Sequence, residues 1–190
     1  MKVLVLLSAL FVSGVLNAAG FAISKTKDSF SFDNQNYNSN SYATKLVFSE
    51  SHPIYLEYRQ SQATDEFDFY QIGLGALYSL SSNKHYDFGT DFYLGYLVAE
   101  NDSSENEFEF TSIGIGTYFD YKVTSRFIIS SWAGLQLLRE ITENTTCEDG
   151  STTDSVGSGT CSSHGGIAYY NDKLGDGTAK SFSLGFKYFL

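Results

Sequence analysis

The chain has 190 residues, 12 basic and 22 acidic, with one proline, one methionine, 17 glycines, 14 tyrosines and 16 phenylalanines. That length suits one domain, and a formal charge of −10 argues against nucleic acid as a partner. The aromatic, glycine-punctuated composition describes a β protein rather than a helical one. The mean hydropathy of −0.17 excludes little, because strands that alternate faces average out to soluble values.

Lys2, the apolar residues 3–16 and the small exit Asn17-Ala18-Ala19 read as a secretory signal covering residues 1–18, cleaved after Ala18 or Ala19. The apolar run falls short of the roughly 20 residues a spanning helix needs. No lipobox cysteine stands at the exit, so no lipid anchor is implied. Loss of Lys2 leaves 11 basic against 22 acidic residues. Export passes the chain through an oxidising compartment, where the only two cysteines, Cys147 and Cys161, are expected to pair.

Beyond the signal the chain reads as eight strands. The first, residues 20–33, is the least regular: Phe30 and Phe32 keep phase while Lys25 and Lys27 fall off it. A polar loop, 34–41, leads to 42–50, where Thr44, Leu46 and Phe48 oppose Lys45, Val47 and Ser49, and residues 50–53 make a tight turn. In the third strand Ile54, Leu56 and Tyr58 alternate with Tyr55, Glu57 and Arg59. After a polar link, 60–65, the fourth runs over 66–80, and residues 81–84 turn the chain into the fifth, 85–100. There Phe88, Phe92, Leu94 and Tyr96 form one face against Asp87, Asp91, Tyr93 and Gly95. An acidic link, 101–104, precedes the sixth strand, 105–123; a turn at 124–125 opens the seventh, 126–141, with Ile129, Leu135 and Leu137 opposing Arg126, Trp132 and Gln136. Residues 142–177 lack strand periodicity and are expected to form one long loop. The last strand, 180–190, places Phe182, Leu184, Phe186, Tyr188 and Leu190 on one face and Ser181, Ser183, Gly185 and Lys187 on the other.

Four connections are longer and polar and three are tight, in alternation, which is the pattern of a transmembrane barrel with short periplasmic turns. An open sheet edge in lipid would leave backbone groups unsatisfied, so the first strand must close on the last. The aromatic closing strand, with the pattern Phe182, Leu184, Phe186, Tyr188, resembles that of bacterial outer-membrane barrels, although Leu190 stands where phenylalanine is usual. The whole chain from residue 19 to 190 resembles the small eight-stranded group that contains OmpX, Ail and the transmembrane part of OmpA. The expected fold is therefore an all-β, eight-stranded antiparallel up-and-down barrel in the outer membrane of a Gram-negative bacterium. The resemblance implies a monomer, lipid and lipopolysaccharide as neighbours, assembly machinery that reads the closing strand, and no cofactor or metal.

The inward positions Glu57, Arg59, Asp87, Asp91, Asp120, Arg126 and Lys187 are expected to form a polar network filling the lumen, since eight strands leave room for little more than side chains. Glu66, Asp68, Glu107 and Glu109 occupy matching places in an internal echo, residues 66–75 against 107–116, and are expected at the outer rim on the lipid side. Carboxylates there would repel lipid phosphates unless divalent cations bridged them. His52 and His85 fall at periplasmic turns, leaving His164 as the one histidine on the outer side. Function is expected to lie in the outer loops: a non-enzymatic protein contributing to envelope structure or contacting a host or other extracellular partner, with Tyr169 and Tyr170 as contact residues. Two rivals are a narrow channel or carrier for small hydrophobic molecules, which needs a cavity past Tyr93 and Trp132, and an outer-membrane lipid hydrolase built on His164. A soluble lipocalin-like barrel is the rival fold; it would turn the aromatic faces inward.

Overall fold

A computed structural model describes residues 20–32, 35–48, 53–62, 67–101, 107–142, 144–157, 159–171 and 173–190. The expected signal segment, His52 and Glu66 lie outside the described residues.

Seven long strands, β1 (Gly20–Phe32), β2 (Gln35–Val47), β3 (Ile54–Gln62), β4 (Phe67–Ser82), β5 (Tyr86–Asn101), β6 (Glu107–Lys122) and β7 (Phe127–Glu140), each pair antiparallel with the next. Three short strands follow, β8 (Thr145–Cys147), β9 (Thr152–Thr153) and β10 (Ile167–Tyr170), before β11 (Gly177–Phe189). β11 pairs with β7 on one side and with β1 on the other, from Gly20 opposite Phe189 to Phe32 opposite Gly177. The eight long strands thus form a closed barrel, and β10, β8 and β9 form a separate small sheet. Gly20 at the start of β1, Phe189 at the end of β11 and the β4–β5 and β6–β7 turns share one end of the barrel, and the small sheet stands at the other, the loop end.

Period-two alternation decides what faces each way. On β6, Ser112, Gly114, Gly116, Tyr118 and Asp120 point inward, while Ile113 and Ile115 are more than half exposed. Leu74, Leu94, Leu135, Phe182 and Leu184 continue the same outward belt. A continuous apolar band this large on the outside, around a charged interior, suits lipid and not water. The lipocalin-like alternative requires the reverse arrangement.

Several boundaries depart from the sequence reading. β2 begins at Gln35, so most of the expected loop 34–41 is strand, and residues 33 and 34 alone connect β1 to β2. The first connection is therefore short. The ladder outruns the apolar belt there, and Asn36, Asn38 and Asn40 face out while Ser39 and Ser41 are buried inside. β11 starts at Gly177, three residues before Lys180, because Gly177 to Ala179 still pair with β1 and β7. Lys25 and Lys27 are in phase after all: they face out, and their neighbours Thr26, Asp28, Phe30 and Phe32 are buried in the lumen.

Close approach requires glycine in the wall, and two ring contacts illustrate it. The Tyr55 ring lies against Gly75, and the Trp132 ring covers Gly116 and Gly134, where a Cβ would collide with the ring atoms. Glycines on the inner face let these large rings lie flat in a narrow barrel.

Candidate functional site

The lumen is filled in layers. At the loop end, Phe30, Phe32, Phe67, Phe69, Phe108 and Phe110 pack with Leu97 and Leu138 into an aromatic layer, with the Phe30 and Phe69 ring centroids 4.2 Å apart. The internal echo thus has a structural meaning: its phenylalanines turn in, and its described acids Asp68, Glu107 and Glu109 turn out.

Below that layer, the Arg59 guanidinium donates to Asp28 at 2.9 Å and to Glu57 at 2.7 Å, and Lys45 pairs with Glu57 at 2.9 Å. Ser41 donates to the same Asp28 carboxylate at 2.5 Å. Asp91 accepts the Tyr55 hydroxyl on both oxygens, at 2.8 and 2.7 Å. Gln71 donates to Gln136 at 2.6 Å and to Ser112 at 3.2 Å. Nearer the turn end Lys187 binds Asp120 at 2.6 Å, and Asp87 accepts from Ser79 at 2.5 Å.

Arg126 does not join them. β7 starts one residue later, and Arg126 is exposed in the β6–β7 turn, held by the Thr124 hydroxyl on its backbone N–H at 3.2 Å. Asp28, Lys45 and Tyr55 are members that the sequence reading did not name. The hairpin register carried a signal for Lys45, which sits directly opposite Glu57 across the β2–β3 turn.

A void of about 30 Å³ remains beside Trp132, and a cavity of about 330 Å³, lined in part by Asp87, Asp120, Lys122 and Lys187, opens the lumen at the turn end. Tyr93 and Trp132 are buried against the wall glycines. Among the described residues, the charged layer and the packed phenylalanines occupy the lumen beyond this cavity.

At the loop end, Asp68 is half-buried, Glu107 exposed and Glu109 half-buried, all on outward positions. Glu100 joins them, opposite both Asp68 on β4 and Glu107 on β6. On the closing strand Phe182, Leu184 and Phe186 are exposed, Tyr188 is partly covered, and Leu190 follows the end of the ladder.

The stretch 142–177 is organised rather than plain loop. Cys147 and Cys161 form a disulfide with Cα atoms 5.5 Å apart, joining β8 to a turn that ends at Gly166. The His164 and Gly166 N–H groups donate to the Cys161 carbonyl at 2.8 and 3.0 Å, and the Glu148 N–H donates to the Gly166 carbonyl at 3.1 Å. Cys161 itself has φ +61°, in the left-handed region. The Thr145 hydroxyl, fully buried, donates to the Ser155 carbonyl at 2.7 Å. Asp149 accepts from the Ser151 hydroxyl at 2.6 Å, the Ser151 N–H at 3.0 Å and the His164 ring at 2.7 Å. The Ser151 hydroxyl, its N–H and His164, in that order, hold the carboxyl down to about 2. His164 is thus fixed by a carboxylate, which sequence alone did not reveal. Both members of that pair stay about half exposed. The base of the loop is tied to the barrel where Glu140 accepts the N–H groups of Leu174 and Gly175. Tyr169 and Tyr170, 59% and 56% exposed, project from β10.

No protein-family model matches this sequence, nor does any curated protein. Solved structures do. Neisserial surface protein A (NspA) superposes with a TM-score of 0.57 at 13% identity, over 90% of this chain and 96% of that one. Ail, the attachment invasion locus protein of Yersinia pestis, solved in complex with the heparin analogue sucrose octasulfate, gives 0.50 at 14% identity over 89% and 95%. At such identities the likeness speaks for the fold. A closed antiparallel ring of eight strands, apolar outside and charged within, gives this chain the fold of the small eight-stranded outer-membrane β-barrels.

Proposed function

We propose that the protein resides in the outer membrane of a Gram-negative bacterium as a non-enzymatic barrel. It serves envelope structure, surface interaction or both through its extracellular face. The observation that carries this reading is the filled lumen beside an organised loop: among the described residues the interior is occupied by ion pairs and phenylalanines, whereas β8, β9 and β10 form a small sheet, tied at Cys147 by the disulfide, with two exposed tyrosines. Adjacent aromatics on a rigid support suit a protein contact. A carrier for hydrophobic molecules needs a continuous apolar passage, and the Arg59 cluster lies across it. A hydrolase needs a hydroxyl on the second ring nitrogen of His164, and among the described residues none is placed there.

The partner differs in charge from the polysulfated ligand seen with Ail. Glu148, Asp149 and Asp154 crowd the small sheet, with His164 as the nearby basic group. A polyanion would be repelled, and a basic protein surface attracted.

The test replaces residues 145–170 with a short Gly/Ser connection and compares cells carrying each form for adherence to surfaces coated with extracellular-matrix protein, alongside planar-bilayer recordings of the purified barrels. Adherence lost with the loop, and no discrete conductance from either form, is the expected result. Conductance steps from the intact barrel, or adherence that survives loop removal, would overturn the reading.

A further inference from the structure

The outside of the barrel is not uniform around its circumference. On β1 the outward positions run Phe21, Ile23, Lys25, Lys27, Ser29, Ser31, so only two apolar residues precede the first lysine. Leu184 of β11 lies opposite Lys25, Phe182 lies opposite Lys27, and Lys180 lies opposite Ser29, one diagonal step from Lys27. Across the other edge of β1, Tyr42, Asn40 and Asn38 of β2 lie opposite Lys25, Lys27 and Ser29.

Three exposed lysines and two asparagines therefore share one outward patch that follows Ile23 on β1 and adjoins Phe182 and Leu184 on β11. Lys25 leans over the Tyr42 ring, its Nζ 5.9 Å from the centroid. No carboxylate occupies an outward position of β11, β1 or β2. Among the described residues none of the three lysines forms an ion pair. In a chain of net charge −10 that concentration is specific. The outward acids Asp68, Glu100, Glu107 and Glu109 centre on β5, four strands from β1 in either direction around the ring.

We propose that Lys25, Lys27 and Lys180, flanked by Asn38 and Asn40, form a binding site for the phosphate of an outer-leaflet lipid, the lipid A type of headgroup. The inference rests on the outer-membrane reading. The ammonium groups stand where long side chains can reach up from an apolar surface to the headgroup level. Their anion must therefore belong to a molecule whose acyl chains cover Phe182 and Leu184. A soluble polyanion has nothing to place there, and free phosphate would lack the apolar contact. The asparagine amides add donors for phosphate or sugar oxygens.

The test reconstitutes the full mature barrel in phosphatidylcholine vesicles containing a minority of lipid A, extracts it gently, and counts co-purifying lipid A by native mass spectrometry. Wild type is compared with Lys25→Gln/Lys27→Gln/Lys180→Gln, with the same three sites as arginine, and with Glu100→Gln/Glu107→Gln/Glu109→Gln. Each lysine near an anionic lipid contributes on the order of a fivefold preference, so the triple glutamine variant should retain about a hundredfold less lipid A. The arginine and acid-neutralised variants should retain it as wild type does. Dephosphorylated lipid A should be lost, and inorganic phosphate should not compete. Equal retention by wild type and the glutamine variant, or retention without the phosphates, would overturn the site while leaving the membrane reading intact. Failure of the wild-type barrel to insert into vesicles at all would overturn both.

Discussion

Replacing Arg59 with methionine is the sharpest test of the filled lumen. Arg59 is 5% exposed and holds Asp28 at 2.9 Å and Glu57 at 2.7 Å. Glu57 would keep Lys45 at 2.9 Å, but Asp28, 1% exposed, would be left with the Ser41 hydroxyl and no cation. Stranding a buried carboxylate by removing its partner costs about 3–5 kcal/mol. Removing the carboxylate as well, in Arg59→Met/Asp28→Asn, relieves most of that cost and leaves the Lys45–Glu57 pair balanced. The double variant is thus expected to be more stable than the single one by at least about 2 kcal/mol, a strongly non-additive cycle. Urea unfolding of the barrel in lipid vesicles measures this, followed by the fluorescence of Trp132, the only tryptophan. Its ring lies 5.8 Å from the Arg59 guanidinium, inside the same layer. A loss below about 1 kcal/mol for Arg59→Met, or strict additivity, would mean that water reaches these charges and that the lumen is not a dry plug.

Three further outcomes follow from the same contacts. Gly75→Ala drives a methyl into the Tyr55 ring and pulls its hydroxyl from Asp91; overpacking alone costs about 1–3 kcal/mol, and an unchanged urea midpoint would show that the ring has room to move. Cys147→Ser/Cys161→Ser opens a link across a sequence separation of 14, which should remove about 3 kcal/mol of loop stabilisation; protease should then cut near Gly157 while the Trp132 transition stays in place, and a falling barrel midpoint would contradict the separation of loop and barrel. Asp149 titrates lower in the folded loop, about 2, than the ordinary value near 3.9. Its stabilisation is therefore complete above the ordinary value and lost as pH falls towards 2. Hydrogen exchange at His164 and Gly166 should accelerate over that acid window in the wild type, and Asp149→Asn should abolish the dependence; an identical profile in the variant would assign the effect to another group.

Alternation made the barrel legible wherever one face met a different environment from the other. β5 and β6 are the clearest cases, with aspartates or glycines opposing isoleucine, leucine and phenylalanine. The first hairpin was harder because its rule inverts along its length. Near the turn end Phe21 and Ile23 face out, but near the loop end Phe30 and Phe32 face in, so hydrophobicity alone shifts phase without any break in the ladder. The same inversion hid Asp28 and made Lys25 and Lys27 look irregular. The polar stretch before Tyr42 reads as loop because hydrogen-bonded strand above an apolar belt has no need of apolar residues. Arg126 failed by one residue, since alternation cannot say where a turn ends. The loop contacts were beyond reach for a different reason: β8, β9 and β10 total nine residues, too few for periodicity, and the pairing of Asp149 with His164 depends on the fold of the disulfide-bonded segment.

In the proposed orientation the disulfide-bonded sheet faces the cell exterior and the tight turns face the periplasm. In a Cys147→Ser/Cys161→Ser background, single cysteines at Ser155 and Asn83, both exposed, are probed on intact cells with a membrane-impermeant maleimide. Ser155→Cys should label on intact cells, and Asn83→Cys only after the outer membrane is permeabilised. Labelling of Asn83→Cys on intact cells, or protection of Ser155→Cys, would contradict it.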